Sequence, residues 1–126
     1  MANPAGTWNI NANGYKGTLS INSDSAGNLN GTINTGEGFM DTLQGVWSES
    51  AQEIVFNRIR KQQDGSIAWI QTFTGYLFST GAGIFEGQGP PDPHPVFLLL
   101  TGSFEALGAG AIPGRARFGW AARKPI

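Results

Sequence analysis

The distribution of glycine constrains the fold of this chain more than any other feature. Nineteen glycines are spread over its 126 residues, and each glycine inside a helix costs about 1 kcal/mol relative to alanine. No window of a dozen residues is free of glycine and also shows the 3.6-residue period of an amphipathic helix. Short segments of alternating apolar and polar residues recur between turn signals instead. The sequence therefore predicts an all-β protein.

Eight such segments predict eight strands. They are residues 7–11, 15–22, 29–34, 39–47, 54–61, 67–78, 96–107 and 115–122. Apart from 79–95, the connections are short enough to join neighbouring antiparallel strands directly, because parallel strands need crossovers of a dozen residues or more. We expect one domain over residues 1–126. The long connection, rich in glycine and proline, is interpreted either as a lid over the domain or as a spacer.

A five-residue repeat, apolar-x-Gly-x-apolar, indicates that the sheet closes into a barrel. It occurs in five of the eight predicted strands, centred on Gly17, Gly31, Gly45, Gly75 and Gly102. Alternation along a strand puts each glycine and its two apolar neighbours on one side, which we place inside. Such glycines let strands bend, and they also leave space for a ligand; both interpretations stay open. Closure removes exposed edges, so we expect an eight-stranded antiparallel up-and-down barrel.

Composition excludes several functional classes. A net charge of −1 offers no field for nucleic acid or an anionic membrane. The cations cluster at Arg58, Arg60 and Lys61 and again over residues 115–124; solvated strand edges are the favoured interpretation, and a local basic face is the alternative. The absence of cysteine excludes disulfides and thiolate chemistry. The amino terminus carries no signal peptide in the chain as given, which predicts a soluble protein in the cytoplasm, although a cleaved precursor would have the same sequence.

Catalytic motifs are scarce. His94 is the single histidine and lies between two prolines, without a nucleophile arrangement around it in sequence. Asp41 is the one carboxylate with inward alternation, whereas a paired-carboxylate enzyme needs two. No metal-binding spacing or phosphate loop occurs. We expect no metal, no cofactor and, in preference, no enzymatic activity.

The residues that alternate toward the inside of the predicted barrel include aromatic and polar side chains, and these are the candidates for binding a ligand. They are Trp8, Asp41, Trp47, Arg58, Trp69, Gln71 and Trp120. A buried amide left without a partner costs about 1–3 kcal/mol. Gln71 is therefore predicted either to bond a neighbour such as Asp41 or to meet a ligand. For Asp41 itself, an interior position and a solvated strand end are both compatible with the sequence.

Three short motifs resemble the avidin and streptavidin barrels of the calycin superfamily. They are Gly-Thr-Trp-Asn at 6–9, Gly-Asn-Leu-Asn-Gly-Thr at 27–32 and Phe-Thr-Gly at 73–75. The resemblance covers about a third of the chain and implies the barrel fold and small-molecule binding. Biotin binding is not implied, since Tyr15 stands where the family's first-strand site has a serine hydroxyl.

Outward alternation predicts an interface between copies of the chain. Large apolar side chains fall on the outer side of two consecutive strands: Ile70, Tyr76, Phe78, Phe97 and Leu99. A monomer seldom exposes such a contiguous patch. We expect a homodimer or homotetramer through these strands, as barrels of the avidin type form.

The resulting hypothesis is a non-enzymatic barrel that binds a small, partly apolar molecule at one mouth. Two alternatives remain at this point. One is a lectin-like protein that binds carbohydrate, favoured by Asn9, Asn11 and Asn13 near the amino terminus. The other is a small barrel cyclase or isomerase, which needs few titratable groups because the barrel itself shapes the reacting conformer.

Overall fold

Eight antiparallel strands close into a barrel in the computed structural model, which describes residues 3–36, 40–80, 97–107 and 117–125. The strands, in chain order around the barrel, are β1 Gly6–Ala12, β2 Tyr15–Ser23, β3 Asn28–Asn34, β4 Met40–Ser48, β5 Glu53–Lys61, β6 Ile67–Thr80, β7 Phe97–Leu107 and β8 Arg117–Pro125. The predicted fold is confirmed. Several positions interpreted from the sequence lie outside the described residues. They are position 39, most of the 79–95 connection including His94, and positions 96 and 115–116. Within those residues, no helix has the length and hydropathy to cross a membrane.

Each strand pairs with the next along the chain, and the two chain ends complete the circle. Pairing of β6 with β7 extends over eleven residue pairs, from Ile70↔Leu107 to Thr80↔Phe97. Pairing of β1 with β8 extends over only four, from Asn9↔Arg123 to Ala12↔Trp120. The barrel is therefore closed by its shortest ladder.

The glycines of the repeat face the inside and let neighbouring strands approach closely. A Cβ at Gly31 would overlap the carbonyl oxygen of Ser20 on β2. A Cβ at Gly75 would lie 2.6 Å from the Thr101 carbonyl oxygen and 2.7 Å from Cζ2 of Trp120. These positions thus have a structural role in bending the sheet. Tyr15 departs from the predicted pattern: it is 59% exposed because it begins β2 at the rim.

Stacked aromatic rings fill the middle of the barrel. Phe73 stacks on Phe56 with ring centroids 4.8 Å apart and on Phe104 at 4.6 Å. Trp120 meets Phe56 and Phe73 edge-on, with centroids 5.6 Å away. Its indole Nε1 donates to the Thr74 carbonyl oxygen at 3.0 Å. Both geometries are favoured by the ring quadrupoles, so this layer is a packed core.

The end of the barrel where β1 begins and β4 ends is closed by two tryptophans. Trp8 is fully buried and its Nε1 donates to the Pro4 carbonyl oxygen at 2.9 Å. Lys124 donates to the Ala5 carbonyl oxygen at 2.9 Å, and its Nζ lies 6.0 Å from the Trp8 ring centroid. Trp47 donates to a Glu49 carboxylate oxygen at 2.8 Å. Their indole donors are thus bonded within the protein.

Polar side chains form a row across the outer surface, perpendicular to the strands. Asn22, Asn30, Gln44 and Asn57 are successive cross-strand partners from β2 to β5, and we call them the amide belt. Asn22 Nδ2 donates to Asn30 Oδ1 at 3.3 Å. Thr72 on β6 continues the row and donates to Asn57 Oδ1 at 2.8 Å.

Large apolar side chains project from the outer side of β6 and β7, as the sequence predicts, and most lie toward the closed end, whereas Ile70 is separated from Tyr76 by the outward Thr72 and Thr74. Tyr76 and Phe78 are each 49% exposed, and Phe78 pairs across the ladder with Leu99. Ile70, Phe97 and Leu99 are half-buried. We call these five residues the outer apolar patch.

Candidate functional site

A cluster of two arginines on one aspartate lies inside the barrel, at the end that holds the turns after β3 and β5. We call this end the mouth. Asp41 near the start of β4 is 2% exposed, and Arg58 near the end of β5 is 6% exposed. Arg58 Nε donates to Asp41 Oδ2 at 2.7 Å, and Arg60 donates to both carboxylate oxygens at 2.9 Å. Such charge-assisted bonds fix the positions of both guanidinium groups.

Trp69 and Thr35 complete the arginine cluster. The Arg60 guanidinium carbon lies 4.5 Å from the Trp69 ring centroid, and that of Arg58 lies at 5.3 Å. Arg58 Nη2 also donates to Thr35 Oγ1 at 3.2 Å. The indole face of Trp69 stabilises the cations through its quadrupole. The mouth therefore carries an aromatic surface with rigidly held donors beside it.

Gln71 lies directly beside this cluster. It is the cross-strand partner of Arg58, and it precedes Phe73 of the aromatic layer by two residues, on the same side of β6. Its Oε1 is buried and has no hydrogen-bond partner within the described part of the chain. A buried carbonyl oxygen in this state costs about 1–3 kcal/mol, which natural proteins usually avoid.

The seven predicted binding residues divide into three groups. Asp41, Arg58, Trp69 and Gln71 come together at the mouth. Trp8 and Trp47 lie toward the opposite, closed end, and Trp120 belongs to the aromatic layer. Of the two positions left open for Asp41, the interior one is correct. A single ligand at the mouth could meet the first group and not the tryptophans at the closed end.

Sequence reasoning missed Arg60 and Thr35. The expectation that Arg58 and Arg60 lie at solvated strand edges is wrong, because both side chains turn inward to Asp41. The available signal was the two-residue spacing, which puts Arg60 on the same side of β5 as Arg58. Thr35 follows the end of β3, where strand alternation no longer specifies a direction. No group of three or more His, Cys, Asp or Glu residues in the described ranges could hold a metal ion.

An open groove of about 860 Å³ lies on the outside of the barrel, along β1, β2 and β8. Its lining includes Asn9, Asn11, Asn13, Lys16 and Arg123, and we call it the outer groove. Gly119 also borders it, and a Cβ added there would meet no atom within 4 Å. The three asparagines that favoured carbohydrate binding in the sequence thus lie together.

One solved structure supports the resemblance to avidins. The chain matches the crystal structure of a rhizavidin–biotin complex with a TM-score of 0.57 at 15% sequence identity, over 98% of this chain and 94% of that chain. No protein-family model and no curated protein matches the chain. The chain therefore has an avidin-like barrel fold, and at this sequence identity the similarity concerns the fold alone.

Proposed function

We propose that this protein is a non-enzymatic binding protein, which holds a small, partly apolar molecule at the mouth of the barrel. The observation that carries the proposal is the buried Oε1 of Gln71, which has no partner among the described residues. A ligand that donates an N–H or O–H to this oxygen would recover the cost of its burial. Binding sites commonly combine a few such polar groups with an apolar lining.

The surroundings of Gln71 indicate the shape of the ligand. The Trp69 ring lies at the mouth, two residues before the amide on the same side of β6, and the fully buried Phe73 ring two residues after it forms the apolar floor below. Arg58 lies across the ladder and is held by Asp41 and Thr35. We expect a flat molecule with at least one hydrogen-bond donor. Biotin is bound by the rhizavidin of the matched structure, and it is one molecule to test here.

Native mass spectrometry of the freshly purified protein tests the proposal first. We expect an added mass that disappears on denaturation. Thermal shift with biotin and with the apolar dye anilinonaphthalene sulfonate then gives a second measurement. A molecule that binds only the folded protein, at a free concentration of 100 times its Kd, stabilises that protein by about 2.7 kcal/mol.

Gln71→Leu and Gln44→Leu provide the matched pair for both measurements. Both remove an amide from a strand, but Gln44 is exposed on the outer surface. Binding should be weakened in Gln71→Leu and unchanged in Gln44→Leu. The proposal fails if no bound mass and no stabilising probe is found, or if both variants bind as the parent does.

We also propose that the chain forms a homo-oligomer through the outer apolar patch. The exposed rings of Tyr76 and Phe78 on β6 lie beside the half-buried Leu99 and Phe97 of β7, and subunit interfaces commonly cover an apolar surface of this kind. A two-fold axis through this patch would place Phe78 of one copy near the same region of the other. A second copy of this chain is the partner that we propose for this surface.

A further inference from the structure

Arg58 has one carboxylate partner within the described chain, and it shares that partner with a second arginine. Asp41 accepts one bond from Arg58 and two from Arg60, whose Nε and Nη2 hold both carboxylate oxygens. Arg58 is nevertheless buried, with only 6% of its surface exposed. A cation removed from water is costly unless opposite charge and hydrogen bonds compensate it. The surroundings of Arg58 therefore favour the approach of a further anion.

The Arg58 guanidinium also keeps unused donors. Its Nε donates to Asp41 and its Nη2 to Thr35, whereas its Nη1 has no hydrogen-bond partner among the residues that the structure describes. In the same residues, Gln71 Oε1 is the one unpartnered side-chain atom that is sealed from solvent, so Nη1 remains accessible. A guanidinium presents its N–H groups in a planar arrangement that matches a carboxylate. Nη1 is thus a charged donor that a ligand can reach.

An unpartnered acceptor lies beside this donor. Gln71 is directly opposite Arg58 in the ladder between β5 and β6, and the Cβ atoms of such pairs lie about 5 Å apart on the same side of the sheet. The buried Oε1 of Gln71 can be satisfied only by an N–H or O–H donor. A carboxylate has none. A ligand that satisfies both side chains therefore carries an acidic group and, on atoms close to it, a hydroxyl or N–H group.

We propose, resting on the binding function inferred for the mouth, that its ligand is a small aromatic acid with an additional hydroxyl or N–H group. The acid accepts from Arg58 Nη1, and the additional group donates to Gln71 Oε1. An aromatic ring suits this place, because the Trp69 ring centroid lies 5.3 Å from the Arg58 guanidinium carbon and the buried Phe73 ring forms the floor. A cationic ligand is disfavoured by the adjacent guanidinium.

Isothermal titration calorimetry with matched compounds tests the proposed charge of the ligand. The acids are meta-hydroxybenzoate and para-hydroxybenzoate, which are ionised at neutral pH. Their amides, meta-hydroxybenzamide and para-hydroxybenzamide, have the same shape without the charge, and benzoate lacks the hydroxyl group. At least one hydroxybenzoate should bind about ten times more tightly than its own amide and than benzoate, since charge-assisted hydrogen bonds are about twice as strong as neutral ones.

Two variants test the two contacts separately. Arg58→Gln removes the charged donor and leaves Asp41 bonded to Arg60. It should weaken binding of the acid about tenfold more than binding of the amide. Gln71→Leu removes the acceptor, so hydroxybenzoate should lose its advantage over benzoate. Circular dichroism melting verifies that both variants are folded, and the comparison of compounds on the parent protein does not depend on either variant.

Arg117→Gln is the control for Arg58→Gln, because it changes the net charge of the protein by the same amount. The Arg117 side chain is 75% exposed and pairs with Glu105, so this variant should bind every compound as the parent does. Equal losses of acid binding in the two variants would overturn the proposal, because the attraction would then come from overall charge.

Other results separate this proposal from the binding function on which it rests. Equal affinity for acid and amide, tighter binding of the amide, or an added mass in the native spectrum that belongs to a neutral or cationic compound would exclude an acid as the ligand. Each of these results leaves the binding function of the mouth intact. Absence of any added mass, together with absence of binding by all the compounds, would overturn both.

Discussion

The amide of Gln71 is expected to lower stability in the absence of a ligand. Its buried Oε1 has no partner in the described chain, at a cost of about 1–3 kcal/mol. Leucine has a similar length and no polar atom, so Gln71→Leu should raise the free energy of unfolding of the ligand-free protein by about 1 kcal/mol. Urea denaturation measures the change, and Gln44→Leu on the outer surface should show no gain. A less stable Gln71→Leu protein would contradict this interpretation.

Asp41 has the opposite role, because it compensates two arginines. Removal of one partner from a buried ion pair costs about 3–5 kcal/mol, and we expect Asp41→Ala to lose stability in this range. The exposed pair between Glu105 and Arg117 has a short distance of 2.6 Å, yet Glu105→Ala should cost less than about 1 kcal/mol because solvent screens the pair. Denaturant titration of both variants measures the difference. Equal losses would show that burial of the cluster is not what matters.

Individual site residues were predictable from strand alternation, and their partners were not. The alternation that placed Leu43 inside also placed Asp41 there, and Gln71 followed in the same way from Phe73. Which group Asp41 binds depends on the register between β4 and β5, and side-chain alternation within one strand carries no information about it. The sequence therefore identified four of the mouth residues but predicted neither the double arginine contact nor Thr35.

At the scale of elements, substitution by alanine should change the stability of the protein in opposite directions at two glycines of the sheet. Gly31→Ala would force a Cβ into the Ser20 carbonyl, and overpacking of this kind costs about 1–3 kcal/mol or more. Gly119 has open space and a backbone conformation that other residues adopt, so Gly119→Ala should stabilise by about 0.5 kcal/mol through the unfolded state. Thermal melting of the two variants tests the contrast. Similar melting temperatures would refute the proposed bending role of Gly31.

The turn between β2 and β3 should give a pH-dependent contribution to stability. Asp24 Oδ1 accepts the backbone N–H groups of Ala26 and Asn28 at 2.9 and 2.8 Å. The side-chain bond from Asn28, followed by these backbone bonds, lowers the pKa of Asp24 below its ordinary value of 3.8. A lowered folded-state pKa stabilises the protein above the ordinary value, and this contribution is lost as the pH falls through the folded value.

Asp24→Ala should therefore melt below the parent at pH 7, and the difference should shrink once the pH falls below 3.8. Calorimetry between pH 7 and pH 2 measures both curves. Ser25→Ala in the same turn is the control, since its hydroxyl does not titrate and its effect should be independent of pH. A difference between parent and Asp24→Ala that stays constant over the whole range would exclude the ionised carboxylate as the cause.

Strand positions were predicted more accurately than the details of their ends. Turn residues such as Asn13 and Gly14, both with positive φ, marked the β1–β2 hairpin in the sequence. The irregularity in pairing between Arg60 and Lys61 had no signature, because a bulge depends on how two strands fit together. Likewise, β6 ends at Thr80, two residues later than predicted, because Ser79 and Thr80 carry no apolar side chain that would mark the alternation in the sequence.

At the scale of the whole molecule, the outer apolar patch determines the expected assembly. The double variant Tyr76→Glu/Phe78→Glu would put two carboxylates into an interface, where buried unpaired charges are costly. Sedimentation velocity should show a dimer or tetramer for the parent and a monomer for the variant. Val46→Glu, at another exposed apolar position on β4, should leave the assembly intact. A parent that sediments as a monomer would exclude this interface.

The short ladder between β1 and β8 has a consequence for how the barrel forms and opens. Its partners, such as Asn9 and Arg123, come from opposite ends of the chain, so they can meet only at a large entropic cost of ring closure. The consecutive hairpins are local in sequence and can form first, which makes this junction the last to assemble. For the same reason it should be the first to part, and the amide protons of Asn11 and Ala121, which point across this junction, should exchange with deuterium sooner than those in the long β6–β7 ladder.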